Sequence, residues 1–291
     1  MLGAIPAAYD AAMSARTLDE FEVPAGSGPP AGAFYASEGG SYEPSQLTRG
    51  PWDPDSQHAG PPCALLGGGM DRSGEIAGAR VARITFEILR PVPMAPLTAC
   101  ARVVRPGRSV ELIEGVLSHG DTEILRARAW RIRTEAVELD GSPPVDQAMP
   151  GPDVAEPRDF FPTGQETGYH SAMEVRFLAG AYVEPGPARA WMRQRVPLVE
   201  GREPSPLERL LVAADSGNGV SAPLDYRRFV FINTDLSVAL RRPPTGDWIG
   251  LDAVSHAEPD GIGLTDTTVH DERGPLGRVT QSLLIADRGH S

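Results

Sequence analysis

Asp215 is the residue most able to do chemistry in this chain. The stretch Ser205 to Gly219, SPLERLLVAADSGNG, places its carboxylate at the end of an amphipathic helix and follows it with small, flexible residues. Such an acid is either a solvated helix end or a base. An Asp titrates near ~4 in water, and partial burial raises that value until the carboxylate accepts protons near neutrality. A second pair, Asp53 and His58 in DPDSQH, loosely sets an acid ahead of a histidine base. Other chemistries lack their residues. Ser216 does not sit in the G-x-S-x-G turn of a nucleophile elbow, and Cys63 and Cys100 offer no metal spacing and no disulfide framework. The glycines at Gly67 and Gly261 lack the strand–helix setting of a dinucleotide fingerprint. Neither a metal nor a cofactor is expected.

The elements that must position Asp215 are legible. Ser205, Pro206 and Glu208 supply an N-cap, a first-turn proline and a capping-box partner. Leu207, Leu210, Leu211 and Ala214 recur at helical spacing and form the buried stripe. At roughly 100° per residue, Asp215 falls about 40° beyond Leu211, on the shoulder of that stripe. The sequence 134–164 is rich in Pro and Gly and reads as a linker between a first repeat, 20–133, and a second, 165–288. The two repeats match: FEILRPVP (Phe86 to Pro93) corresponds to VALRRPPT (Val238 to Thr245), with Arg90 on Arg242 at an offset of 152 residues. The same offset lays the alternating SVELIEGV (Ser109 to Val116) on GIGLTDTT (Gly261 to Thr268). One helix followed by long antiparallel strands, given twice, predicts an α+β protein. In the first repeat the helix candidate is PPCALLGGGMDR, Pro61 to Arg72, whose glycines would let it sit close to a sheet.

Composition narrows the partners. The net charge is -12, with no Lys among the 27 basic residues, which argues against a nucleic-acid partner because a phosphate backbone demands a basic patch. No run approaches the ~18 apolar residues of a membrane helix, and the start lacks the basic n-region of a signal peptide. A cytoplasmic location is the expectation.

The motifs HAGPPCALLGG, ILRPVP, PGRSVELIEGVL, WMRQRVPL, LVAADSGNG, RRPPTGDWIGLDA and GRVTQSLLI, in this order from about Gly32 to Ala286, resemble the acyl-CoA thioesterase II (TesB-like) family. The resemblance implies a double hotdog: two tandem copies of an antiparallel sheet wrapped around a helix, the sheets continuing side by side. It implies an acyl-CoA substrate and catalytic groups Asp215 on the second-half helix, Asn233 or its neighbour Thr234 on the following strand, and Gln281 on the last. Only one of Asn233 and Thr234 can face Asp215, since neighbours on a strand point to opposite sides; Asn233 is favoured because its amide both donates and accepts. Shifted back by the repeat, Asp215, Asn233 and Gln281 fall on Cys63, Val81 and Ala129, which suggests one working site in two copies. The resemblance also implies a homodimer or homotetramer.

The expected reaction is hydrolysis of the thioester by a water that Asp215 deprotonates, with Asn233 and Gln281 holding the water. The turn His58 to Cys63 is the candidate oxyanion site, with the backbone N–H groups of Ala59, Gly60 and Cys63 as donors beside His58. Arg105 and Arg108 are candidates for the CoA phosphates. Two alternatives stand beside this reading: hydration or dehydration of an enoyl thioester, and acyl-ligand binding without catalysis.

Overall fold

The alternating apolar residues of each repeat form strands, and the strands form one sheet. The computed structural model describes residues 32–141, 147–158, 160, 163–182 and 184–290; the expected start of the first repeat at residue 20 lies outside them. The first repeat comprises β1 (Tyr35–Glu38), β2 (Ser41–Pro44), α1 (Gly60–Arg72), β3 (Ala79–Ile88), β4 (Leu97–Arg105), β5 (Val110–His119) and β6 (Thr122–Arg133). The second comprises β7 (Glu156–Pro157), α2 (Tyr169–Ala172), β8 (Met173–Ala181), β9 (Glu184–Gln194), α3 (Pro206–Ala214), α4 (Gly217–Val220), β10 (Phe229–Asn233), β11 (Asp235–Leu240), β12 (Trp248–Ala257), β13 (Ile262–Asp271) and β14 (Gly274–Asp287).

The sheet runs β1-β2-β4-β5-β6-β3-β11-β14-β13-β12-β9-β8-β7, with β10 also paired to β14. Outward from the seam, β3-β6-β5-β4 in the first half is repeated as β11-β14-β13-β12 in the second, with two further strands outside the former and three outside the latter, so the double hotdog fold is present as one continuous sheet. At the seam β3 pairs with β11 so that Thr85 faces Ser237, its own repeat equivalent, while Glu87 faces Asp235 and Arg83 faces Ala239. A register centred on equivalent residues makes the seam self-complementary, as in a two-fold dimer interface. Each feature beside the seam therefore has a counterpart on its other side.

The apolar faces of the two halves meet around α1 and α3, which pack on each other within one continuous core. The glycines of α1 serve this helix–helix contact more than the sheet. A Cβ at Gly68 would collide with the Glu208 carboxylate, and one at Gly60 with the Val212 carbonyl. Glu208 closes the capping box at the start of α3 and is fully buried. Burial alone would raise its pKa, but hydrogen bonds from Arg202, Arg72 and the Ser205 N–H outweigh that and hold it low.

Two expectations change here. The helices do not keep the strand offset: α1 shifted by 152 would begin at residue 212, whereas α3 begins at Pro206. The extra helix α4 between α3 and the next strand absorbs the difference, so Cys63 is not the counterpart of Asp215. The linker, 134–164, is also partly built into the second half. β7 pairs with β8, the Trp191 indole N–H donates to the Pro150 carbonyl at 2.8 Å, and Ala155 is buried with Trp191 and Trp248. No helix among the described residues is long and apolar enough to cross a membrane.

Candidate active site

Asp215 stands where α3 ends, and it is buried, at 5% exposure, rather than poised on a shoulder. The capping box starts α3 and its apolar stripe docks it. Asp215 itself is the C-cap, with helical φ -70° and ψ -10°, so its side chain continues the buried face instead of swinging into solvent. It meets the N-terminal end of α1. Its Oδ2 lies 3.3 Å from Nδ1 of His58, and its Oδ1 accepts from Nδ2 of Asn233 at 2.9 Å. The backbone N–H groups of Ala59 and Gly60 also donate to it. Burial raises its pKa from 3.8 to about 7, against these hydrogen bonds, which pull it down. Near neutrality the group therefore exchanges readily between acid and carboxylate.

The donors expected to form an oxyanion site from Ala59, Gly60 and Cys63 are committed elsewhere. Ala59 and Gly60 serve the carboxylate, and Gly60 also donates to Nδ1 of His58 at 3.1 Å. The Cys63 N–H is the first hydrogen bond of α1, to the Ala59 carbonyl. His58 is held by a parallel stack on Tyr169, with ring centroids 3.7 Å apart. Burial lowers its pKa to about 3, so it is neutral, and with Nδ1 accepting, its proton sits on Nε2. The Tyr169 hydroxyl donates to the Val212 carbonyl at 2.8 Å and meets the Ser216 hydroxyl at 3.0 Å. Tyr169 and Asn218 escaped sequence reasoning, and Ser216 entered it only as a rejected nucleophile: Tyr169 lies in a short helix just after the Pro/Gly-rich stretch, with no periodic pattern to mark it.

The three polar residues at and behind Asp215 divide their work. Asn233 ends β10, and both its amide hydrogens are used, on Asp215 and on the Asp235 carbonyl at 3.2 Å, which leaves its oxygen as an acceptor. The residue after it, Thr234, is exposed and turns its hydroxyl to the Ser282 carbonyl. It lines the cavity without touching Asp215. Gln281 on β14 is fully buried behind the site. Its amide donates to the Asp215 carbonyl at 3.2 Å and to the Asp215 carboxylate Oδ1 at 3.5 Å, and its oxygen accepts from the Asn218 N–H at 3.2 Å, so it braces both the turn and the acid from behind.

The site opens into a cavity of about 310 Å³ bounded by Asp215, His58 and Asn233 and walled by apolar residues such as Trp52, Ile88 and Phe231. Arg90 is the arginine on its wall. Arg105 and Arg108 are remote from it. β3 pairs Ile88 with Leu125 and Ala79 with Arg133, and β5 pairs Val110 with Ile132. The β4–β5 turn carrying Arg105 and Arg108 is thus at the opposite end of the first sheet, about 30 Å away along ten residues of strand. Asp53 lines the cavity but caps its own turn, accepting from the Asp55 N–H and the Ser56 hydroxyl.

Comparison with known proteins bears on the fold and the family. No curated protein matches the chain. Among solved structures, a protein from Thermobifida fusca YX, provisionally named a thioesterase II, superposes with a TM-score of 0.68 at 16% identity, covering 98% of this chain and 100% of that one. A conserved hot dog protein from Alicyclobacillus acidocaldarius gives 0.66 at 14%, covering 87% and 95%. The acyl-CoA thioesterase II TesB2 from Mycobacterium marinum gives 0.62 at 16%, covering 87% and 94%. At these identities the likeness establishes the fold. The family is established by sequence models: the acyl-CoA thioesterase N-terminal domain matches residues 48–132 and the C-terminal domain residues 147–285. With both domains in tandem, the chain belongs to the acyl-CoA thioesterase family and is a thioester hydrolase.

Proposed function

We propose that this protein hydrolyses acyl-CoA to CoA and a carboxylic acid using a water activated by Asp215. The observation that carries the reading is a buried carboxylate with a pKa of about 7 opening into a largely apolar cavity. An acyl chain lies along Trp52, Ile88 and Phe231, and the thioester carbonyl stops at the polar end. Water donates one hydrogen to Asp215 and the other to the free oxygen of Asn233, which points its lone pair at the carbonyl carbon. As the carbon–oxygen bond forms, Asp215 takes the proton. The oxyanion is met by the Nε2–H of neutral His58, the ring nitrogen not used by Gly60. When the carbon–sulfur bond breaks, the sulfur recovers the proton from Asp215. Water, thioester and base are then accounted for, with a thiol and an acid as products.

Arg90, exposed at the cavity wall, is the cation nearest the CoA phosphates in this reading. The same proposal keeps a cytoplasmic site of action and a homo-oligomer.

The test is a panel of acyl-CoA substrates assayed with a thiol reagent. Thiol release from at least one saturated chain length is the expected result. Hydration of an enoyl-CoA without thiol release, or no turnover on any chain length, would overturn the proposal.

A further inference from the structure

His58 needs more than its hydrogen bonds to hold one orientation. The Gly60 N–H at 3.1 Å and Oδ2 of Asp215 at 3.3 Å both meet the same ring atom, Nδ1. The torsion that turns an imidazole about its Cβ–Cγ bond is broad, without a sharply preferred angle. What sets the plane of this ring is Tyr169, which stacks on it with centroids 3.7 Å apart and planes 8° from parallel.

The stack is built into the backbone. The His58 N–H donates to the Thr48 carbonyl at 2.8 Å, and the Tyr169 N–H donates to the next carbonyl, that of Arg49, at 2.9 Å. Two consecutive residues ahead of α1 thus hold the two rings side by side, although His58 belongs to the first repeat and Tyr169 to the second.

The hydroxyl of Tyr169 has an equally specific place. At the end of α3 the Ser216 N–H bonds the Ala213 carbonyl at 3.0 Å, so this donor is not given to Val212. The Tyr169 hydroxyl donates to the Val212 carbonyl instead, at 2.8 Å, and meets the Ser216 hydroxyl at 3.0 Å. Val212 lies three residues before Asp215 and Ser216 directly after it. A phenylalanine would fill the same buried space. The tyrosine adds a tether to the segment that carries the acid.

We infer that Tyr169 is a positioning residue for the hydrolysis: its ring fixes the plane of His58, and its hydroxyl ties that plane to the segment carrying Asp215. The Nε2–H and the carboxylate then keep one separation throughout the reaction. Tyr169 acts through His58 and moves no proton itself, since burial pushes its own hydroxyl well above the ordinary tyrosine range. The inference rests on the reading in which Nε2–H of His58 meets the oxyanion.

The experiment is a double-mutant cycle in the full chain, read as kcat and KM on the saturated acyl-CoA that the native protein hydrolyses fastest. His58→Ala is expected to lower kcat by about 10²- to 10³-fold, the range for loss of one oxyanion donor. Tyr169→Leu, which removes the flat ring, is expected to lower kcat by about 10- to 10²-fold, the scale of a small misplacement, with KM within about threefold of native. Tyr169→Phe keeps the stack and is expected to recover most of that loss. Once His58 is alanine, Tyr169→Leu should cost nothing further, because the two changes remove one interaction. Equal fractional losses with and without His58, or a native kcat in Tyr169→Leu while His58→Ala is impaired, would overturn the positioning role and leave the oxyanion reading standing. A native kcat in His58→Ala would remove both. Should Tyr169→Leu not fold, Tyr169→Phe goes through the same cycle, with a several-fold loss expected only where His58 is present, and the same outcomes decide.

Discussion

Consider Asp215→Asn, which keeps the shape of the side chain and removes its titration. In the native protein Asp215 holds its proton up to about pH 7, whereas the unfolded chain releases it near 3.8. Between those values the folded state binds more protons, so stability falls as pH rises. At ~1.4 kcal/mol for each pH unit between the two values, the cost is about 4 kcal/mol, complete above pH 7 and absent below pH 4. Asparagine carries no such cost. Its oxygen can still accept from Asn233, and its amide would stand about where Oδ2 stands, 3.3 Å from Nδ1 of His58. The variant is therefore expected to exceed the native protein in stability at pH 8.5 by up to about 4 kcal/mol, with the gap closing towards pH 4. Over the same series thiol release should drop by about 10²- to 10⁴-fold, the range for loss of a general base. Denaturant unfolding at several pH values and an acyl-CoA assay read the two effects. Equal stabilities at pH 8.5 would refute the buried, costly carboxylate. Undiminished thiol release would remove Asp215 from the chemistry.

Other outcomes follow from the same geometry. The rate should rise with pH through about 7 as Asp215 ionises, and Asn233→Leu, which deletes a hydrogen bond to the ionised form, should move that rise to higher pH by about one to two pH units. A pH–rate profile unchanged in this variant would detach Asn233 from the base. Gly68→Ala should destabilise the fold by about 1–3 kcal/mol through overpacking against buried Glu208, as measured by denaturant midpoint. A neutral effect there would mean the two helices are free to separate.

Much of this protein was readable from its residues. The offset of 152 matches β5, Val110–His119, to β13, Ile262–Asp271, end for end, because alternation of period two survives as long as the strands keep their length. The capping box marks the start of α3 because its signal is wholly local. That a lone acid ends this helix was also plain. What only tertiary structure decided is what surrounds that acid. His58 and Asp215 are 157 positions apart, and no spacing rule joins them. Their contact exists because α1 and α3 pack on each other through Gly60 and Gly68. α3 starts six residues earlier than the repeat offset predicts and α4 takes up the difference, so an ungapped comparison pairs Asp215 with Cys63 although the two helices do not keep that register. Whether the N–H groups of Ala59 and Gly60 serve a substrate or a carboxylate depends on which group fills the space before them. Packing between the halves placed Asp215 there, and local sequence carries no record of it.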